Sequence, residues 1–182
     1  MVGGEKHLIM AFQIETKRLL IRKPDDQDLV HFRKWLSDPE LARFVGGVRS
    51  EEHILRTFQH ISKNWQEWGF GTAMLIWKDS GDVVGSCGIN KIEVEGQTEY
   101  DLGYLIIQNY WGMGLATESA QAILDYAVKT LKINRVTAWP SQNNKPSVRV
   151  AEKLGFKFEK TISKTHAGAI LNDMSLYIWR NG

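Results

Sequence analysis

Cysteine is nearly missing from this chain of 182 residues; Cys87 stands alone. That excludes an internal disulfide and a cysteine-built zinc cage, and it suits a reducing compartment. Long apolar runs are missing too: no uncharged stretch approaches the roughly 20 residues of a membrane-spanning helix. Neither sign of charge dominates, with 23 Lys and Arg against 21 Asp and Glu. A net charge of +2 gives no strong field, so neither nucleic acid nor a membrane is expected as a partner. There is no internal repeat, no low-complexity tract and no linker. What is present, 43% apolar and 24% charged residues, is the mix of a soluble globular protein, and the length fits one domain. An apolar stretch at 8–14 is interrupted by Gln13 and followed by no small-residue cleavage site. Residues 1–14 therefore read as a leader or extension, 15–182 as a single domain, and the cytoplasm as its location.

Arg18–Arg22 reads as a first strand. Pro24-Asp25-Asp26 opens a helix with Leu29, Phe32 and Leu36 at helical spacing, stopped near Pro39. Ser50 caps a second helix whose apolar face is Ile54, Leu55, Phe58, Ile61 and Trp65. Past Gly69 and Gly71 the pattern changes to strands at 72–77, 83–90 and about 99–107, with turns at 79–82 and 95–97. A helix follows with Ala116, Ala120, Ile123, Leu124 and Ala127 on one face. Then come a strand at 135–139, a helix at about 144–154 ended by Gly155, and strands near 156–163 and 171–179. The strands at 99–107 and 135–139 are separated by a whole helix, so they should run parallel through a crossover. The expected fold class is α+β: a mixed, mostly antiparallel central sheet with one parallel βαβ crossover and flanking helices.

The segment Tyr110-Trp-Gly-Met-Gly-Leu-Ala-Thr-Glu118 joins a strand to a helix through a loop with two glycines. The first turn of a helix leaves backbone N–H groups without partners and carries about half a positive charge. Small residues at 112, 114 and 116 let an anion approach that backbone, which makes the loop a candidate phosphate or pyrophosphate cradle. A P-loop would need Lys-Ser/Thr where Leu115-Ala116 stands. A dinucleotide fingerprint would need Gly or Ala in place of Thr117, and an acid at the end of the strand at 135–139. Neither condition is met.

Four stretches together resemble the GCN5-related N-acetyltransferase family, and in particular its RimJ/RimL-like, ribosomal-protein-alanine branch. They are Thr16-Lys-Arg-Leu-Leu-Ile-Arg22, Asp101-Leu-Gly-Tyr104, Tyr110–Glu118 and Asn144-Lys-Pro-Ser-Val-Arg-Val-Ala-Glu-Lys-Leu-Gly-Phe156. The resemblance implies acetyl-CoA as co-substrate, no metal, and an amine acceptor. It implies that Trp111, Gly112, Met113, Gly114, Leu115, Ala116 and, in the first helical turn, Thr117 hold the pyrophosphate through the backbone. The family has Arg or Gln where Trp111 stands, so no side-chain cation is expected there. Leu105, Ile106 and Ile107 would offer backbone groups to the pantetheine arm, and Asn144 would contact it. Many members carry a Tyr seven residues after that Asn to protonate the leaving thiolate. Here the position is Ala151, and Ser147 is the substitute the RimL-like branch suggests. Dimers occur in the family, and the last hairpin is apolar enough for a homodimer.

Acetyl transfer also needs an amine freed of its proton, because an ammonium with a pKa near 10 cannot attack. Period-two alternation puts Glu99, Asp101, Gly103, Leu105 and Ile107 on one face of the central strand. Asp101 is the first candidate base and Glu99 the second. The resemblance implies an acceptor cleft formed partly by the early helices, which makes Trp35, Trp65 and Trp68 candidates to line it. Cys87 reads as an inert buried thiol, and His53 and His60 lack the spacing of a metal pair. Glu118 reads as a complement to the helix dipole. The acceptor stays open among peptide N-termini, polyamines, amino acids and aminoglycoside-like amines. A non-catalytic acyl-CoA sensor is the alternative function.

Overall fold

The computed structural model describes residues 12–44, 46–94, 96–166 and 169–181, without the side chains of 162–173. Of the expected leader or extension at 1–14, residues 1–11 lie outside the described residues, as do the side chains of Ile162, Ile170 and Leu171 in the last hairpin. Local chemistry starts each helix much as the sequence suggests. Asp25 accepts from the Gln27 N–H (2.9 Å) and donates its own N–H to Asp28 (2.8 Å), closing a capping box. A short 3-10 turn then leads into α1 (Leu29–Ser37). Pro39 does not simply stop this helix. Asp38 accepts from the Glu40 and Leu41 N–H groups and starts α2 (Pro39–Ala42), a four-residue turn too short to show periodicity. Ser50 caps α3 (Glu51–Trp68), and Gly69 ends it in the left-handed region at φ = +71°.

One eight-stranded sheet carries the chain, in the order β1-β2-β3-β4-β5-β6-β8-β7. The strands are β1 (Gln13–Glu15), β2 (Leu19–Arg22), β3 (Thr72–Trp77), β4 (Val83–Val94), β5 (Gln97–Ile106), β6 (Arg135–Ala138), β7 (Lys157–His166) and β8 (Ala169–Arg180). β1 was not expected; three residues give no period to read. The β4–β5 hairpin is longer than expected, since its ladder continues to the turn at Val94↔Gln97. As expected, β5 and β6 run parallel, joined through α4 (Leu115–Lys129). β8 inserts between β6 and β7 and is antiparallel to both. α5 (Lys145–Lys153) begins at the Asn144 cap, whose side chain accepts from the Ser147 N–H.

The core is continuous. Ile54, Phe58, Ile61 and Trp65 of α3 are buried, as are Ala120, Ile123, Leu124 and Ala127 of α4. Alanines at 120 and 127 let α4 lie close on the strands beneath it, β4 and β5. That contact holds the helix's first turn beside the end of β5, where the glycine loop begins.

Candidate active site

β5 keeps perfect register with β4 from Gln97↔Val94 to Ile106↔Gly85, so the expected alternation along it survives. Its other edge is different. Among the described residues β6 pairs with β5 at Asp101↔Thr137 alone. Thr137 Oγ1 donates to the Tyr100 carbonyl there (3.3 Å). Past Ala138 the chain turns away: Pro140 has no N–H to give, and its carbonyl is held from β8 by the Ser175 N–H (2.9 Å). The two parallel strands splay, and a cavity of about 250 Å³ opens between them and α5.

Because the sheet itself is parted, the cavity is lined from both faces of β5. Asp101 and Gly103 reach it from one face and Tyr104 from the other, with Trp139, Asn144 and Ser147 across the gap. Two of the three expected catalytic residues, Asp101 and Ser147, are thus brought together. Glu99 is not. It forms an ion pair with Arg135 and lines a separate, open hollow beside Lys132. Strand alternation puts Glu99 and Asp101 on one face but says nothing of β6, whose first residue captures Glu99. Trp35 and Trp65 are core residues, 2% and 5% exposed, and Trp68 lies against Phe70 and the Lys91 ammonium. The aromatic wall of the cavity is instead Phe44, Trp139 and Phe156.

Backbone direction sorts the remaining candidates. The Ile107 N–H donates to the Val84 carbonyl (3.0 Å), so it is used inside the sheet. In a planar trans peptide the carbonyl points opposite to the N–H, which turns the Ile106 C=O into the splay. There the Trp111 indole Nε1 donates to it (2.6 Å). Leu105 by the same alternation directs its backbone toward β4. Of the expected trio Leu105, Ile106 and Ile107, the structure therefore leaves the Ile106 N–H facing the gap, with Tyr104 two residues earlier. The Trp111 N–H is likewise not a cradle group, because it closes a 3-10 turn onto the Gln108 carbonyl (3.0 Å). Gly112 and Gly114 both hold left-handed φ, +76° and +78°, and together with Met113 stand exposed on the surface. Gly114 is the cap of α4, and behind it come the first-turn amides of Leu115, Ala116 and Thr117.

Sequence reasoning missed Tyr104. Its hydroxyl lies 2.8 Å from Ser147 Oγ, reaching across the splay to α5, whereas Ala151 brings no polar group to the cavity. The signal was the Asp101-Leu-Gly-Tyr104 motif, but alternation alone puts Tyr104 on the face opposite Asp101. Only the parted sheet lets both reach one space. Burial pushes the Tyr104 phenol up to about 12, against the opposing pull of the Ser147 hydrogen bond. Its cross-strand partner Cys87 is fully buried, and burial raises that thiol to about 12 as well. The expected inert thiol is what the structure shows.

Both groups hold their protons more tightly folded than unfolded. Their stabilisation is complete below the ordinary values of 9.0 and 10.0 and is lost as pH rises toward 12. Urea unfolding should therefore give a lower midpoint at about pH 10.5 than at about pH 8, and Cys87→Ala should remove the part of the loss that begins near pH 9. A flat profile would show that neither group titrates in the unfolded chain alone.

Among the described residues there is no group of three or more His, Cys, Asp or Glu side chains able to hold a metal, and no helix is long and apolar enough to cross a membrane.

Comparison with known proteins gives a consistent picture. The acetyltransferase (GNAT) domain family matches residues 18–157. An uncharacterized N-acetyltransferase, p20 of Bacillus licheniformis, is 31% identical over 150 residues, 79% of this chain and 82% of that protein. The crystal structure of an acetyltransferase from Agrobacterium tumefaciens superposes with a TM-score of 0.81 at 25% identity, covering 98% of this chain and all of that one. Spermidine N-acetyltransferase from Vibrio cholerae, in complex with CoA and spermine, shares the fold at a TM-score of 0.74 and 14% identity, over 91% of this chain and 96% of its own. Fold, family match and relatives agree: the chain belongs to the GNAT family of N-acetyltransferases, enzymes that take their acetyl group from acetyl-CoA.

Proposed function

We propose that this enzyme moves acetyl to a primary amine by direct attack in a ternary complex, with no acetyl-enzyme intermediate. The observation that carries the reading is the splay between β5 and β6. It runs from the glycine loop to a cavity that holds Asp101 on one side and the Tyr104–Ser147 pair on the other. A pantetheine arm lying along the open edge of β5 would meet the Ile106 N–H. The diphosphate would meet the loop and the first-turn amides of α4.

Asp101 is the only formally charged side chain among the described residues of the cavity lining, which suits an acceptor that arrives as a cation. In this reading Asp101 takes the ammonium proton, directly or through water, and the neutral amine attacks the thioester carbonyl. The C–N bond forms, the C–S bond breaks, and the departing thiolate, hydrogen-bonded by Ser147, takes up through that hydroxyl the second proton that the nitrogen sheds as the amide forms. Tyr104, kept protonated by burial, is hydrogen-bonded to Ser147 Oγ and holds the serine in place for the departing sulfur. Alignment of two bound substrates supplies much of the acceleration.

Our finer placement in the RimJ/RimL-like branch rests on the Tyr110–Glu118 spelling and on Ser147 standing where it does. It puts a protein N-terminus beside polyamines, amino acids and aminoglycoside-like amines as acceptors. The lone buried Cys87 is in keeping with the cytoplasm.

Thiol release from acetyl-CoA, measured against a panel of amines and N-terminal peptides, tests the reading. Ser147→Ala should lower turnover about tenfold, a typical loss for one hydrogen bond to a developing charge, with acetyl-CoA affinity nearly unchanged. Asp101→Asn should move the onset of turnover to higher pH. Coenzyme A binding without thiol release across the whole panel would make the protein an acyl-CoA sensor instead.

A further inference from the structure

The stretch Thr16-Lys-Arg18 has no part in the chemistry above, yet its Thr16 and Arg18 side chains converge on the first turn of α4, a hundred residues away in sequence. Glu118 Oε1 accepts from Thr16 Oγ1 (2.7 Å) and from the Arg18 backbone N–H (2.8 Å). Glu118 Oε2 accepts from Arg18 Nε (2.7 Å) and pairs with Arg18 Nη2 at the same distance. The other arm of the guanidinium, Nη1, donates to the Met113 carbonyl inside the glycine loop (2.8 Å). Arg18 also lies 5.9 Å over the Trp77 ring. Glu118 is therefore more than a complement to the helix dipole, as the sequence alone suggests. It is the fixed end of a clasp.

We propose that Arg18 is a positioning residue for the coenzyme A loop: held by Glu118, it fixes the Met113–Gly114 peptide so that the Gly114 N–H faces the diphosphate. The proposal rests on the reading that this loop receives the diphosphate. Its geometry follows from the planar trans peptide, whose N–H points opposite to its carbonyl. With the Met113 C=O drawn toward Arg18, the Gly114 N–H is turned the other way. The constraint matters because Met113 sits between two glycines, the residues that resist a peptide flip least. The same clasp neutralises Glu118, a carboxylate that would otherwise oppose a diphosphate at the head of α4. Trp111 brings no cation to this loop; Arg18, from the far end of the sheet, does.

The test is calorimetry with coenzyme A, and competition with S-acetylpantetheine, which lacks the diphosphate. Arg18→Ala should weaken coenzyme A about 10- to 100-fold, the range for losing charge-assisted hydrogen bonds, and leave S-acetylpantetheine unchanged. Arg18→Lys should recover only part, since an ammonium cannot span Glu118 and Met113 as a planar fork does. Coenzyme A affinity within twofold of wild type in Arg18→Ala overturns the proposal. So does equal weakening of both ligands, which would mark a general distortion. Should Arg18→Ala fail to fold, Glu118→Gln decides by sign. Removing a negative charge beside the diphosphate would by itself tighten binding, whereas loosening the clasp weakens it, and tightening overturns the proposal. Wild-type protein that does not bind coenzyme A would instead overturn the loop reading itself.

Discussion

Gly114→Val should weaken coenzyme A binding about 100-fold while the protein stays folded. Gly114 holds φ = +78°, and an L-residue there costs about 1–2 kcal/mol, a β-branched one more. Space is not the first obstacle. A Cβ at 114 would sit 3.7 Å from Arg18 Nη2, an ordinary contact. The loop is exposed at 111–114, so the cheapest relief is a rotation of the loop backbone, which leaves the core untouched. That rotation turns the amides away from an incoming diphosphate, and the γ-carbons of Val press on the guanidinium that holds Met113. Gly114→Ala, with the backbone cost alone, should lose about tenfold, the equivalent of 1.4 kcal/mol. Calorimetry with coenzyme A and a thermal melt check both halves of the claim. Near-wild-type affinity in the Val variant would remove this loop from the binding site.

The opposite pattern is expected one strand over. Gly88 and Gly103 face each other across the β4–β5 ladder, yet they have different tasks. A Cβ at Gly88 would meet the Gly71 carbonyl oxygen at 2.1 Å and Thr72 Cα at 2.6 Å, both backbone atoms with nowhere to move. Gly88→Ala must therefore separate β3 from β4, and the cost should reach about 3 kcal/mol or more, the upper range for overpacking. For a chain of this size that lowers the melting temperature by roughly 6–12 °C. At Gly103 nothing stands within 4 Å of the added carbon, and the residue lines the cavity. Gly103→Ala should melt like wild type but turn over more slowly, because its methyl occupies space beside Asp101. If the two variants destabilise equally, the cavity is not where the strands part.

Much of this architecture could be read from local pattern. Capping residues marked the helices: Asp25, Ser50 and Asn144 each sit at a helical start and make the bonds that residue type allows. The change to period two after Gly71, and the intervening helix that forces a crossover, led to the parallel β5–β6 pair. Where the reading fell short, the missing fact was a partner distant in sequence. Glu99 was paired with Asp101 by alternation and is claimed by Arg135. Trp35 and Trp65 are offered for a cleft by the resemblance alone, and they lie in the core. Ile107 and the Trp111 amide were offered to a ligand and are used by Val84 and Gln108.

By itself, then, the sequence determined the elements, the crossover and the glycine loop, because caps, periods and turn residues act over a few neighbours. Only the tertiary structure decided which side chains share the cavity. Parting two strands joins opposite faces of one sheet, so Asp101 and Tyr104 meet a common space that no alternation rule can show. It also closed the clasp from Arg18 to Glu118 and Met113, whose ends are brought together by the packing of α4 on the sheet rather than by any local preference.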